Sequence, residues 1–134
     1  MKYLKTYKIF ENIDEISQNI NDIFIELKDK NPKVRIVTDR ITGGPNKLKI
    51  TFNDYSGPTI RIRMGDIKDE LIRLRDYLEM EGYQFVTFNY VERGVIKYAR
   101  SEFSGNGGWA RKSSDMFKYL FDIYSVDNLH LYFR

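Results

Sequence analysis

Cysteine is absent from this 134-residue chain, and histidine occurs once, as His130. The lack of cysteine excludes disulfides, thiolate zinc sites, iron–sulfur clusters and a cysteine nucleophile, and the single histidine excludes a metal site built from several histidines. The chain contains no run of about 18 apolar residues, so we expect no membrane span, and its first residues lack the apolar region of a signal peptide. These absences predict a cytoplasmic protein that needs no cofactor and no metal.

The composition that remains is that of a folded domain. Hydrophobic residues make up 42% of the chain and charged residues 31%, which provides enough apolar surface for a core. The length suits one domain, so we expect residues 1–134 to form a single unit. The formal net charge of +3 is too small to indicate a nucleic-acid-binding protein without a local concentration of basic residues.

The first half of the chain reads as helix, three strands, helix. Apolar residues recur every third or fourth position over 11–30 and again over 67–81, where Gly82 provides the stop. Between these helices, apolar and polar residues alternate over 34–37, 47–53 and 59–64. The breaks are short and contain glycine and proline, which predicts an antiparallel meander of three strands.

The second half predicts a β-hairpin, a helix and a terminal strand. Residues 83–91 are expected to pair with 95–103, a glycine-rich loop covers 104–108, a helix covers about 114–124, and the alternation of 129–134 is typical of a strand. The overall expectation is an α+β fold with helices on one face of a mostly antiparallel sheet. Whether the hairpin joins the meander sheet is left open by the sequence.

Basic residues concentrate on one side of the predicted meander. Residues 31–65 contain seven bases and two acids, whereas the predicted helix over 11–30 contains six acids and two bases. The alternation predicts one shared solvent face for five of these bases: Arg35, Lys47, Lys49, Arg61 and Arg63. Such a face is either a patch for phosphate or an acidic partner, or a solvated surface whose charges prevent pairing with other strands.

The glycine-rich segment before the last helix has two interpretations. Backbone amides around Gly107 and Gly108 and the hydroxyl of Ser113, together with Arg111 and Lys112, would suit an anion at the start of a helix. The spacing of a P-loop is absent. The other interpretation is a plain loop in which Ser113 or its neighbour caps the helix.

Aromatic residues offer further candidates for a binding surface. Trp109 is either a core residue or, together with Arg111 and Lys112, an anchor for a partner protein. The predicted hairpin is rich in aromatic side chains interleaved with basic ones, which suits either a base-stacking platform or an apolar core. Strict alternation would place Phe85 and Phe88 on opposite faces of the hairpin.

Catalysis is not indicated by any motif. His130 lies in a strand pattern with no nucleophile placed beside it, and a lone histidine is more often structural. Asp39 and Asp54 close two neighbouring predicted strands and are ordinary turn residues there. We therefore expect a protein that is not an enzyme.

Two segments carry a resemblance to other proteins. The opening, residues 1–11, and the segment 67–78 followed by Glu81-Gly82-Tyr83 resemble small uncharacterised accessory proteins of large tailed bacteriophages, over about the first 90 residues. The resemblance implies a phage product in the host cytoplasm that binds a host protein in host takeover or counter-defence. Two alternatives stay open: binding of nucleic acid or nucleotide through the basic sheet face and the glycine-rich loop, and a minor component of the virion.

Overall fold

The computed structural model describes residues 13–44, 46–53, 61–99 and 113–134, with backbone only for 113–115. Its helices are α1 (Ile13–Ile23), α2 (Ile25–Lys30), α3 (Lys68–Met80) and α4 (Ser113–Tyr119), with 3-10 turns at Met64–Ile67 and Leu120–Asp122. Its strands are β1 (Ile36–Arg40), β2 (Leu48–Phe52), β3 (Ile62–Arg63), β4 (Phe85–Glu92), β5 (Val95–Tyr98), β6 (Ser125–Val126) and β7 (Asn128–Phe133). The predicted α+β class is confirmed.

Within the described ranges, five strands form one antiparallel sheet in the order β1-β2-β7-β4-β5. The last strand of the chain, β7, lies in the centre and pairs with β2 on one side and β4 on the other. It therefore joins the hairpin β4–β5 to the strands of the first half, which answers the question that the sequence left open. Leu129, Leu131 and Phe133 face the core from β7 and are fully buried.

The helices pack on one face of this sheet, as the sequence predicts. The stripes of α1 and α3 point inwards, with Ile16 and Ile20 buried on α1, and Leu71, Leu74 and Leu78 buried on α3. Residues from both halves of the chain form one core cluster. Amphipathic helices of this length gain most of their stability from burying such a stripe against a sheet.

The predicted first helix is interrupted. At Phe24 the backbone has φ −99° and ψ 22°, so the helix ends at Ile23 and α2 starts at Ile25. Phe24 itself is fully buried and meets Phe52 of β2 edge-to-face, with ring centroids 4.9 Å apart. The break lies where this large side chain reaches the sheet.

The predicted meander of three strands is wrong in its third strand. Strand β3 does not join β2, but pairs with β6 in a separate sheet of two strands, with Ile62 opposite Val126 and Arg63 opposite Ser125. Met64, predicted on the strand, instead begins a 3-10 turn, and its amide donates to the Tyr124 carbonyl over 2.9 Å. The order of elements along the chain agrees with the prediction, whereas this pairing does not.

A hairpin forms where the sequence predicts one, but it is shorter than predicted: residues 89–92 pair with 95–98 across a two-residue turn, and residues 100–103 lie outside the described ranges. The phase of β4 also differs from the prediction. A register shift between Phe85 and Thr87 breaks the alternation, so Phe85 and Phe88 lie on the same, core-facing side and are 4% and 0% exposed. A β-bulge adds one residue to a strand and so changes which face the following side chains occupy. Phe85 also contacts Phe117 of α4 edge-to-face, with centroids 5.2 Å apart.

For the last helix the sequence predicts an apolar stripe, which the structure bears out except at its end; its members are Met116, Phe117, Leu120, Phe121 and Tyr124. Met116, Phe117 and Leu120 are buried, but Tyr124 is 71% exposed. The helical turns end at Asp122, and the extended backbone that follows carries Tyr124 out of the stripe. Among the described residues, no helix is long and apolar enough to cross a membrane.

Candidate functional site

The five basic residues predicted to share one face are divided between the two sheets. Lys49 lies on the five-stranded sheet, opposite Asp39 and Tyr132. Lys47, just before β2, lines a concave site of about 320 Å³ beside Gly82 and the last residue of the chain. The prediction of one shared face is therefore wrong, because it required β3 to lie next to β2.

Only two of these five residues are brought together around a cavity. Arg35 is exposed just before β1, whereas Arg61 and Arg63 line a second cavity at the two-stranded sheet. The residues predicted around the glycine-rich loop cannot be compared with the structure: Gly107, Gly108, Trp109, Arg111 and Lys112 lie outside the described residues. The backbone of Ser113 begins α4, as expected for a residue near the helix start.

The second cavity has a volume of about 380 Å³ and is rich in arginine. We call it the arginine pocket; its lining residues are Arg61, Arg63, Glu92, Arg93, Tyr124 and Ser125. It forms where the turn of the β4–β5 hairpin meets the two-stranded sheet β3–β6. Glu92 forms an ion pair with Lys97, with 3.4 Å between Nζ and Oε1, so the three arginines dominate the charge of the lining.

Arg61 is oriented by a carboxylate behind it. Its Nε lies 3.3 Å from Oδ1 of Asp127, whose side chain is 14% exposed. Asp127 is itself held by the backbone: its amide donates to the Val91 carbonyl over 2.7 Å, and its carbonyl accepts from Nδ2 of Asn53 over 3.1 Å. The position of Arg61 thus depends on the turn between β6 and β7.

Neither Arg63 nor Arg93 forms an ion pair with a carboxylate of the described residues. Within the part of the chain that the structure describes, no Asp or Glu oxygen lies within 4.0 Å of either guanidinium. The guanidinium of Arg63 instead lies over the ring of Tyr124, 5.0 Å from its centroid. A cation over an aromatic face is a favourable contact that leaves the charge available to an anion.

The backbone at Arg93 is in a conformation that arginine rarely adopts. Arg93 has φ +52° and is followed by Gly94 with φ +79°, and these two residues form the turn between Glu92 and Val95. Two-residue turns of this kind favour Asn, Asp or Gly in the first position. The conformation of Arg93 is therefore unfavourable for the turn, which makes its side chain a candidate for a functional role.

Of the six residues that line this pocket, the sequence identified only Arg61 and Arg63 as candidate site residues; it missed Glu92, Arg93, Tyr124 and Ser125. Arg93 belongs to the predicted turn, and Tyr124 was assigned to an apolar helix stripe. The mismatch between arginine and the left-handed position of the turn was a usable signal for the first. No local signal identifies Tyr124, because its place depends on the pairing of β3 with β6.

Next to the pocket, the edge strand of the hairpin is exposed and apolar. Strand β5 pairs with β4 and is the last strand of the sheet in the described ranges. Three of its four residues, Val95, Ile96 and Tyr98, are large and apolar and are 57%, 56% and 53% exposed. Edge strands usually carry charges or proline that prevent pairing with another chain, so an apolar edge is a candidate contact surface.

The face of the central strands opposite the helices carries polar residues. Nδ1 of His130 lies 3.2 Å from the Thr51 hydroxyl, and the amide of Asn89 donates to the Tyr132 hydroxyl over 3.3 Å. Asn89 and Thr51 are the residues paired with His130 on either side. The described residues contain no group of three histidine or carboxylate side chains that would hold a metal ion.

Two surfaces therefore emerge beside one hairpin: the arginine pocket and the apolar edge of β5. Comparison of the chain with models of protein families, with curated proteins and with solved structures finds no match.

Proposed function

We propose that this protein acts by binding another protein, and that strand β5 is the element that docks. The observation that carries the proposal is the exposure of Val95, Ile96 and Tyr98 on an edge strand. An extended segment of a partner can add to such an edge, with backbone hydrogen bonds supplying affinity and side-chain contacts supplying specificity.

The pairing of the hairpin supports this mode of binding. Glu92 and Val95 flank a two-residue turn and so form a hydrogen-bonded pair, after which hydrogen-bonded and non-bonded pairs alternate. Ile96 and Tyr98 fall on the non-bonded positions, so their backbone amides and carbonyls point away from β4. These are the groups that an added strand would use.

The charge beside β5 supports an acidic partner. Arg93 adjoins the first residue of the strand, and Arg63 lines the same pocket, and neither has a carboxylate within 4.0 Å among the described residues. An extended segment that carries apolar side chains followed by Asp or Glu would satisfy both features. Complementary charge steers association and fixes the register of the bound segment.

The resemblance to phage accessory proteins supplies the setting. On the basis of this resemblance, we propose that the partner is a host protein, that the role is host takeover or counter-defence, and that the protein acts in the host cytoplasm. Trp109, Arg111 and Lys112 remain a predicted second contact with that partner. The alternative of a minor virion component predicts capsid or tail proteins as partners instead.

The proposal is tested by capture from a nuclease-treated lysate of infected cells with three forms of the tagged protein. Ile96→Lys places a charge on the docking edge, and Met80→Lys does the same at the end of α3, where Met80 is 87% exposed. We expect a defined partner to be retained by the wild type and by Met80→Lys and lost with Ile96→Lys. The recovered partner should then protect the amides of Ile96 and Tyr98 from hydrogen exchange.

Two results contradict the proposal. A partner that Ile96→Lys retains as well as the wild type does not use β5. Material that is captured without nuclease and lost with nuclease indicates nucleic-acid binding instead. A partner lost only with Ile96→Lys but identified as a virion protein supports the docking edge and overturns the assignment to a host protein.

A further inference from the structure

We propose that the arginine pocket binds a nucleoside phosphate, with Arg63 and Arg93 contacting the phosphate and Tyr124 stacking on the base. This binding activity is distinct from strand addition on β5, although both ligands would contact Arg63 and Arg93 and would therefore compete for them. A free nucleotide and a nucleotide within a single strand both present this chemistry, and the experiment below distinguishes the two sources.

The charge of the pocket suits a phosphate. Arg61 is balanced by Asp127 at 3.3 Å, and Glu92 is balanced by Lys97 at 3.4 Å, which leaves Arg63 and Arg93 unbalanced by any carboxylate among the described residues. The planar guanidinium presents paired donors that match phosphate oxygens. Arg63 and Arg93 come from two different elements, β3 and the β4–β5 turn, and line the same concave site.

The aromatic ring at the pocket distinguishes a nucleotide from a simple anion. Tyr124 is 71% exposed although it is a large aromatic residue, and its ring lies under the Arg63 guanidinium at 5.0 Å. Exposed aromatic rings beside arginines are the usual platform on which bases stack in single-stranded nucleic acids. The volume of about 380 Å³ lies within the range of small-ligand sites.

The turn at Arg93 provides an independent argument for function. Arginine occupies a position with φ +52°, where asparagine or glycine would be less strained. The turn would therefore be more favourable without the arginine. A side chain placed in the pocket at the expense of the turn is expected to serve binding rather than folding.

Calorimetric titration of the full chain with AMP, inorganic phosphate, adenosine and a short oligo-dT strand tests the proposal. AMP should bind at least about tenfold more tightly than phosphate or adenosine, because only AMP engages both the arginines and the ring. Tighter binding of oligo-dT with a steep loss between about 50 and 200 mM salt identifies a nucleic-acid strand as the source. Equal or tighter binding of AMP identifies the free nucleotide.

Three variants locate the site. Arg63→Ala should weaken AMP binding by about tenfold or more, which is the effect of losing a charge-assisted hydrogen bond. Tyr124→Ala should weaken AMP binding and leave phosphate binding unchanged. Arg73→Ala is the matched control, because Arg73 is an exposed arginine on α3 outside the pocket, and it should bind as the wild type does.

Arg93→Asn separates binding from folding. It removes the guanidinium and supplies a residue that the turn prefers, so the protein should be at least as stable as the wild type and bind AMP about tenfold more weakly. The proposal is overturned if AMP does not bind, if phosphate alone binds as tightly as AMP, or if Arg63→Ala and Arg93→Asn bind like the wild type. Docking on β5 is tested separately by Ile96→Lys, because Ile96 does not line the arginine pocket.

Discussion

The side-chain amide of Asn128 donates a 2.6 Å hydrogen bond to the backbone carbonyl oxygen of Asn53, 75 residues earlier in the chain. Asn128 is 2% exposed and opens the central strand β7, whereas Asn53 follows β2 with φ +60°. The side-chain amide of Asn53 in turn donates to the backbone carbonyl of Asp127, the residue whose carboxylate orients Arg61. This pair therefore connects the main sheet to the arginine pocket.

Asn128→Ala should lower the free energy of unfolding by about 1–3 kcal/mol, because it removes the 2.6 Å hydrogen bond that Asn128 donates to the buried Asn53 carbonyl. Urea denaturation measures the loss. Gln84→Ala removes an amide from an exposed side chain and should change stability by less than about 0.5 kcal/mol. Equal stability of the two variants would show that the 2.6 Å contact contributes nothing.

Gly82 and Gly65 form a matched pair that tests backbone conformation. Gly82 follows α3 with φ +96°; its amide donates to the Glu79 carbonyl, and the next amide, of Tyr83, donates to the Leu78 carbonyl over 2.8 Å. These two bonds are those of a helix C-terminus that requires a left-handed residue. Gly65 lies in the 3-10 turn without a positive φ, and a Cβ on either glycine meets no atom within 4 Å.

Gly82→Ala should therefore cost about 1–2 kcal/mol through backbone strain alone. Gly65→Ala should be neutral or stabilising by up to about 1 kcal/mol, because alanine reduces the freedom of the unfolded chain. Thermal unfolding of both variants measures these changes in stability. A loss at Gly65 as large as that at Gly82 would mean that crowding, and not φ, decides the effect.

Local patterns predicted the helices and most of the strands because each depends on neighbours in sequence. The stripe of α3 and the stop at Gly82 follow from spacing and from one residue type. Long-range pairing had no such signal. Ile62 pairs with Val126, 64 positions later in the chain. The alternating pattern of residues 59–64 gives no indication that β3 pairs with β6 instead of with β2.

The candidate site was predicted in part for the same reason. Arg61 and Arg63 were singled out as basic residues on a strand, and both do line a pocket. Their partners, Arg93 and Tyr124, come from a turn and from the segment after α4, and only the tertiary fold places them there. The register shift after Phe85 limits prediction from sequence in the same way, because one bulge places Phe88 on the same face as Phe85, whereas strict alternation assigns it to the opposite face.

Leu74 and Arg73 test the phase of α3. Leu74 is fully buried in the core, and the side chain of Arg73 is 61% exposed with Glu70 at 3.8 Å. Leu74→Ala should cost about 2–5 kcal/mol, the usual range for removing a buried leucine side chain. Arg73→Ala should cost less than about 0.5 kcal/mol, because an exposed ion pair contributes little. Chemical denaturation measures the free energy of unfolding of both variants, and similar losses of stability would contradict the buried position of Leu74.

Tyr77 provides a test at alkaline pH. Burial raises its pKa above the ordinary value of 10.0, with smaller contributions in the same direction from Glu81, Glu15 and Tyr83, whereas the hydrogen bond from Asn19 opposes the shift. The Asn19 amide donates to the Tyr77 hydroxyl over 3.0 Å.

Because the pKa of Tyr77 is raised on folding, the unfolded chain releases this proton first as pH increases. The contribution of Tyr77 to stability is then complete below about pH 10 and is lost as pH rises from there through the folded pKa. Tyr77→Phe removes this titration, so its free energy of unfolding should fall less than that of the wild type between about pH 9 and pH 11. Asn19→Leu removes the donor that favours the phenolate, so its fall should be larger than that of the wild type. Urea denaturation at the two pH values measures all three proteins, and identical losses in wild type and Tyr77→Phe would show that Tyr77 does not titrate differently on folding.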